Sequence, residues 1–255
     1  MNNINDILKQ LEKSTLESSI DVFIPSLNRE VKFKTLNLKQ QKDLLKSTME
    51  DSLLKLSFNN LLTDIIRTNN INKDIIVDTL STIDRTSIAL ELRAKSIDQE
   101  YIVQDKKISL NKILQKNRTN KLDLTAFSET ITTDSIVVEL SAPILGKDYQ
   151  QNTQALRKLK DAQVDDIKST IGDLIVYEFM KFITKISLIS EGQVMDINYD
   201  TLKFGDKITI AENLTSNVTN SIFAFIKKYR TLESTYLTDD VTNMSIDIDG
   251  NFFTV

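Results

Sequence analysis

The spacing of hydrophobic residues predicts a chain that is mainly helical. Over most of the sequence, apolar residues recur at i, i+3, i+4 and i+7 with charged residues between them, as on a helix that buries one face. Segment 4–17 has this spacing and precedes the first predicted strand. The same spacing predicts helices over 38–49, 51–69, 74–80, 82–96, a long segment that starts near 163 and extends through Phe182 and Ile186, and 216–232.

Shorter segments have the features of β-strands. Segments 22–24 and 31–36 predict an N-terminal hairpin, in which Pro25 suits a strand end because it has no N–H to donate. Segment 130–143 is rich in β-branched residues and predicts a strand that ends at Pro143. Segment 245–255 contains Asp249-Gly250 between apolar pairs and predicts a C-terminal hairpin, because Asp-Gly favours tight hairpin turns.

These elements predict an α+β fold that is mainly helical, with a small N-terminal β-hairpin, a central strand region and a C-terminal β-hairpin. The polar segment 146–163 is expected to be a linker or a surface helix. Whether the chain forms one domain or two is open at this stage. The pattern divides the chain into an N-terminal helix or arm (1–19), a hairpin with a helical bundle (20–100), a strand-containing middle region (101–160) and a C-terminal helical region closed by a hairpin (161–255).

The composition excludes several classes of catalysis. The 255 residues include no Cys and no His, which rules out thiolate nucleophiles, Ser-His-Asp and Cys-His catalysis, and ordinary zinc sites. Carboxylate-based hydrolysis, Ser-Lys catalysis and Mg²⁺-dependent phosphoryl transfer stay possible. The net charge of −4 opposes binding to nucleic acid or anionic membranes. With no signal peptide or membrane-spanning run in the sequence, we expect the protein to stay in the cytoplasm where it is made, and we expect no cofactor or metal.

Each candidate catalytic or ligand-binding residue also has a structural explanation, which we favour. Asp165-Asp166 and Asp239-Asp240 resemble carboxylate pairs, but adjacent residues on a helix point in different directions. Asp247, Asp249 and Gly250 faintly resemble a calcium loop, with wrong spacing and strand-like flanks. Ser52 and Lys55 match a Ser-x-x-Lys pattern by chance within an apolar helix. Arg93 is expected to pair in the neighbourhood of Glu91 or with another nearby acid instead of binding an anion.

The N-terminal helix has two possible roles. It packs on its own domain, the usual fate of an apolar face, or it is an arm that docks on a partner. The polar spacer STLESS before the first strand is compatible with an arm. Its candidate partner-binding residues are Ile4, Ile7, Leu8 and Leu11.

Two stretches of the chain resemble a known family. They are VFIPSLNREVKFKTLNLKQQKDLLKS and, about 40 residues later, IALELRAKSID. Together they resemble the baseplate hub and hub-assembly family of T-even-like contractile-tailed bacteriophages, although Asn37 stands where that family has Thr. The matching residues are Phe23, Pro25, Ser26, Val31, Phe33, Lys34, Leu36, Lys39, Lys42, Leu44, Leu45, Leu92, Arg93, Ser96 and Ile97.

The resemblance implies a part in building the hub of a tail baseplate and transfers no catalytic residue. The first hypothesis is a structural component of the virion tail baseplate that contacts other hub or wedge proteins, with a place in a symmetric assembly still open. The second is an assembly chaperone that is absent from the mature virion. The third is a carboxylate-dependent tail-associated hydrolase, for which no residue context argues.

Overall fold

A computed structural model describes residues 4, 6, 10, 18–47, 54–120, 122–161, 167–190 and 193–254. The fold is α+β and mainly helical, which confirms the predicted fold class. Contacts divide the chain into two compact units. The first consists of Met1–Leu122 and Thr235–Val255, and the second of Asp123–Ser234.

The first unit begins with the predicted hairpin. Strands β1 (Ser19–Ile24) and β2 (Arg29–Lys34) pair antiparallel, and a 3-10 turn over Pro25–Leu27 joins them. Asn28 closes the turn with φ 48, a left-handed conformation that asparagine tolerates better than most residues. Val22 lies opposite Val31, and both side chains are buried in the core.

Helices α1 (Leu38–Lys46), α2 (Leu54–Asn69) and α3 (Thr82–Ser96) follow, as the spacing predicted. The helix predicted over 74–80 is wrong, because this segment holds only a 3-10 turn, Val77–Thr79. Asn70 explains the difference. Its side-chain amide donates to the carbonyl oxygens of Asn72 (3.0 Å) and Ile75 (3.1 Å), and such side-chain bonds compete with helix formation.

The first unit continues with a second hairpin and a helix. Strands β3 (Glu100–Val103) and β4 (Lys106–Ser109) turn through Gln104 and Asp105, both with positive φ, and α4 spans Leu110–Thr119. Helix α4 thus extends into the polar stretch 116–124, of which residues 116–119 are helical.

The second unit contains a four-stranded antiparallel sheet. The single strand predicted over 130–143 is wrong. Ile136 N–H bonds to the Thr133 hydroxyl oxygen (3.1 Å), and this turn divides the segment into two strands. In sheet order the strands are β5 (Ser128–Thr132), β6 (Ile136–Ser141), β7 (Ile183–Ser190) and β8 (Gln193–Asn198).

The predicted long helix also ends earlier than its spacing suggested. Helix α6 ends at Phe182, and Ile186 lies in β7, opposite Val138 and Ile197. An apolar run fits a helix or a strand equally well by spacing, so pairing with distant strands decides its structure. The second unit is completed by helices α5 (Leu145–Asp161), α6 (Ile167–Phe182), α7 (Phe204–Glu212) and α8 (Ser216–Thr235).

After α8 the chain returns to the first unit, and its C-terminal hairpin lies earlier than predicted. The paired strands are β9 (Thr238–Asp239) and β10 (Met244–Ser245). The expected turn at Asp249-Gly250 instead precedes a 3-10 turn, Asn251–Phe253, because the Asp249 carboxylate accepts the Phe252 N–H (3.0 Å). Phe252 and Phe253 are thereby buried in the first unit.

Candidate functional site

Helix α3 is the centre of the first unit and is buried around its whole circumference. Every residue from 82 to 94 is buried, including Asp84, Arg85, Glu91 and Arg93. Buried charges are costly unless they are paired or hydrogen-bonded. The partners of these charged side chains therefore show what the helix holds in place.

Asp84 joins the start of α3 to the loop after β1. Its carboxylate accepts the N–H (2.7 Å) and hydroxyl (2.8 Å) of Ser81, which caps the helix. It also accepts the N–H (2.9 Å) and hydroxyl (2.6 Å) of Ser26, the serine of the Phe-x-Pro-Ser motif. Ser26 of the motif thus donates two hydrogen bonds to a fully buried carboxylate.

The other end of α3 is joined to the chain after β2. The Leu36 N–H donates to the Ser96 hydroxyl oxygen at 3.0 Å. Leu36 ends the V-x-F-K-x-L motif, and Ser96 belongs to the L-R-x-x-S-I motif. Motifs separated by about 60 residues therefore meet, and the hairpin is tied to both ends of the buried helix.

A third contact lies midway along α3. The Arg118 guanidinium binds the buried Glu91 carboxylate (2.9 Å) and also Glu30 of β2 (2.5 Å). Although burial alone would lower the pKa of Arg118, the bonds to these two carboxylates hold that pKa above its usual value. The guanidinium lies 6.0 Å from the Phe23 ring, within cation–π range. Arg118 therefore links α4 to α3 and to both strands of the hairpin.

Arg93 packs between aromatic rings instead of pairing with an acid, so the predicted ion pair is wrong. Its guanidinium carbon lies 5.1 Å from the Tyr101 ring and 5.3 Å from the Phe252 ring, and Nη2 donates to the Glu100 carbonyl (3.3 Å). Glu91 is occupied by Arg118. Burial lowers the pKa of Arg93. Arg93 therefore fixes the C-terminal segment and β3 to the end of α3.

The family motifs in this chain thus form a structural framework. The sequence identified both members of the Leu36–Ser96 contact. For Ser26 and Arg93 it identified one member and missed the partners on which their roles depend. One signal was available, because Ser81-x-x-Asp84 is a capping pattern. The other partners leave no signal in the local spacing: Tyr101, Arg118 and Phe252.

Several candidate acids have structural roles. Asp239 accepts the N–H (2.9 Å) and hydroxyl (2.8 Å) of Thr242 and so shapes the β9–β10 turn, while Asp240 pairs with Lys116 (2.9 Å). Asp247 pairs with Lys55 at 3.3 Å on the surface. The part of the chain that the structure describes contains no cluster of acids able to hold a metal ion.

The remaining candidates lie wholly or partly outside the described residues. Ile4 is helical and 70% exposed. The other arm residues, Ile7, Leu8 and Leu11, lie outside the described residues, as do Ser52, Asp165 and Asp166.

The second unit holds an ionic cluster between its helices, in which Lys181 and Asp148 are buried while Glu178 and Arg230 are partly exposed. Lys181 binds Asp148 (2.9 Å) and Glu178 (3.0 Å), while Arg230 binds Glu178 and Glu233 (2.6 Å). Burial alone would raise the pKa of Glu178, but Lys181 and Arg230 outweigh it and hold that pKa below its usual value. The same carboxylates raise the pKa of Lys181 against the opposing effect of burial.

This cluster predicts loss of stability in acid. A carboxylate with a depressed pKa stabilises the fold at a pH above its unfolded pKa, about 4.3, and loses that contribution as the pH falls towards the folded value. We expect the urea concentration at the unfolding midpoint of the second unit to decrease as the pH is lowered from neutral to below about 4. Glu178→Gln should show a shallower fall than the unchanged protein, and equal slopes would contradict the prediction.

A protein-family comparison identifies the class of protein. The family model described as T4 bacteriophage base plate protein matches residues 16–243. The chain belongs to this family. The match includes both motif stretches and most of both units, and it begins after the candidate arm residues. The resemblance to a phage baseplate family is therefore confirmed.

Two other comparisons and a search for membrane spans found nothing. No curated protein and no solved structure matches the chain. Among the described helices of this baseplate-family protein, none is long and apolar enough to cross a membrane.

Proposed function

We propose that the chain is a structural component of the tail baseplate hub and acts by binding other hub or wedge proteins. The observation that carries this proposal is that the motif residues form fixed contacts around α3. The hairpin is held on the buried helix by the hydrogen bonds of Ser26, Leu36 and Ser96. These motif residues therefore stabilise the shape of the unit. A rigid unit suits a protein whose function is to present surfaces to neighbours.

The proposal includes the absence of catalysis. The most deeply buried carboxylates of the described chain are engaged in structural contacts: Asp84 caps α3, Glu91 binds Arg118, and Asp148 binds Lys181. A carboxylate-dependent hydrolase needs an acid pair on either side of a substrate, one with a raised pKa. Cleavage of peptidoglycan that is abolished by substitution of one Asp or Glu would support the hydrolase alternative instead.

The N-terminal arm is the proposed site of one partner contact. Ile4 is helical and exposed, and the family match begins only at residue 16. An exposed apolar helix face is a common means of docking into a groove on another protein. We assign this contact to Ile4, Ile7, Leu8 and Leu11.

Two variants of the arm should separate binding from folding. Ile7→Asp combined with Leu8→Asp places two negative charges at apolar positions of the predicted arm and should abolish co-sedimentation with baseplate intermediates from infected cells. Lys9→Asp changes the net charge by the same amount at a polar position of the same segment and should leave co-sedimentation intact. Thermal melts of both variants should match the unchanged protein. Equal co-sedimentation of the two variants would remove the arm from the proposal.

The alternative role is an assembly chaperone that leaves before the virion is complete. A permanent component is expected to bury a larger and more apolar interface than a transient helper. The two roles predict different fates in one fractionation experiment. Antibody against the chain should detect it in hub intermediates and in complete baseplates if it is structural, and only in intermediates if it is a chaperone.

A further inference from the structure

Strand β8 is an exposed edge of the sheet in the second unit. It pairs with β7 on one side and ends the strand order β5-β6-β7-β8. Residues 193–196 and Asn198 are exposed, with Val194 at 64% and Met195 at 57%. An uncovered edge strand offers its free N–H and C=O groups to another strand.

An apolar row crosses the sheet and ends at this edge. Ile136 lies opposite Leu188, and Leu188 lies opposite Met195. Directly opposite residues of antiparallel strands point to the same face, so these three side chains form one row. Exposure increases towards the edge, from a half-buried Ile136 to Leu188 at 38% and Met195 at 57%. The row therefore ends in apolar surface beside unpaired backbone.

Strand β8 lacks the features by which edge strands usually prevent pairing with another strand. Protected edges carry Pro, Lys, a bulge or a charge that stays free. Strand β8, with the sequence QVMDIN, has no Pro or Lys, and its register with β7 is regular. Its charge, Asp196, is bound by Lys185 (2.9 Å) and by the Ser187 hydroxyl (2.6 Å), both on β7. The carboxylate is thus paired within the unit instead of standing alone at the edge.

We propose that β8 pairs antiparallel with β8 of a second copy of this chain, with Met195 opposite Met195 of that copy. The inference is independent of the proposed hub function. A neutral edge with an apolar row favours an equally neutral, apolar strand, which the chain itself supplies. In this register the row continues through Leu188, Met195 and their counterparts, and Asp196 faces Val194 of the second copy.

Neighbouring registers are less favourable. A register centred on Asp196 would place the two Asp196 carboxylates directly opposite each other, and like charges in that position are destabilising. A register centred on Val194 would place Met195 opposite Gln193 and end the apolar row at the interface. Charge and apolar continuity therefore select the register centred on Met195.

The absence of cysteine makes the register testable by disulfide formation. The chain contains no Cys, so one substitution introduces a single thiol. Opposite residues in an antiparallel pair have Cα atoms about 4.5–5.5 Å apart, within the range of about 4.4–6.8 Å that disulfides span. In the proposed register, the two residues at position 194 would be about 8 Å apart, too far for a disulfide.

The full-length Met195→Cys variant should therefore form a disulfide-linked dimer under mild oxidation, while Val194→Cys should stay monomeric. Because Val194 is at least as exposed as Met195, it controls for random collision. Dimer formation by Val194→Cys alone, by both variants equally or by neither would overturn the proposal.

A second measurement needs no cysteine. Sedimentation velocity of the unchanged protein at increasing concentration should show a shift in mass from 29.1 kDa towards twice that value. Met195→Lys should abolish the shift because two charges would meet at the interface, and Met195→Leu should retain it. A monomer at every concentration, or a dimer unaffected by Met195→Lys, would also overturn the proposal.

Discussion

Replacement of Asp84 with alanine is expected to lower the free energy of unfolding of the first unit by about 3–5 kcal/mol. The fully buried carboxylate accepts hydrogen bonds from the N–H and hydroxyl groups of Ser81 and Ser26. Alanine would leave these donors without their acceptor and would also remove the capping interaction at the start of α3. Asp84→Asn retains one acceptor oxygen and should lose less stability.

Urea unfolding combined with hydrogen exchange of α3 would measure the effect of Asp84→Ala. Asp74→Ala is the matched control, because Asp74 is also an acid of the first unit but pairs with Arg29 on the surface. Exposed ion pairs contribute little, so the control should unfold close to the unchanged protein. If both variants unfold alike, Asp84 does not hold the hairpin on α3.

The second large effect is expected at Lys181 in the other unit. Lys181→Met would remove the Lys181 ammonium that binds the Asp148 carboxylate, which is 2% exposed, at a cost of about 3–5 kcal/mol. The double replacement Lys181→Met with Asp148→Leu removes both charges and should recover much of that loss, because apolar replacements of buried pairs are often tolerated. Glu178 keeps Arg230 as a partner in both variants.

Urea unfolding of the second unit would test this coupling as a double-mutant cycle. Lys158→Met provides the control, since Lys158 binds Asp173 with about half of its side chain exposed and should change stability little. A double variant as unstable as the sum of its two single variants would show that Lys181 and Asp148 act independently, contrary to the prediction.

The elements that the sequence predicted correctly depend on local signals. Helix α3 was predicted with the bounds that it has, 82–96, and its Ser81 and Asp84 form a capping box that starts the helix. The N-terminal hairpin was predicted from segments 22–24 and 31–36, and Val31 and Phe33 of the second segment are buried. Local spacing and capping determine such elements, so a single sequence contains enough information to place them.

The elements that the sequence missed depend on distant partners. Ile183 and Ile186 belong to an apolar run that fits a continued helix, and only their pairing with β6 and β8 makes the run a strand. At the candidate site, Arg93 was expected to bind an acid, but Phe252 arrives from 159 positions later in the chain and packs on it instead. The spacing of hydrophobic residues within a short segment does not reveal such contacts.

The central claim is that the chain is a permanent part of the baseplate hub. Quantitative mass spectrometry of purified mature phage particles, compared with infected-cell lysate, tests this claim most directly. The proposal predicts that the protein is present in mature particles at a fixed, small copy number relative to other baseplate proteins. A protein that is abundant in the lysate but missing from mature particles would contradict the claim and would identify an assembly factor.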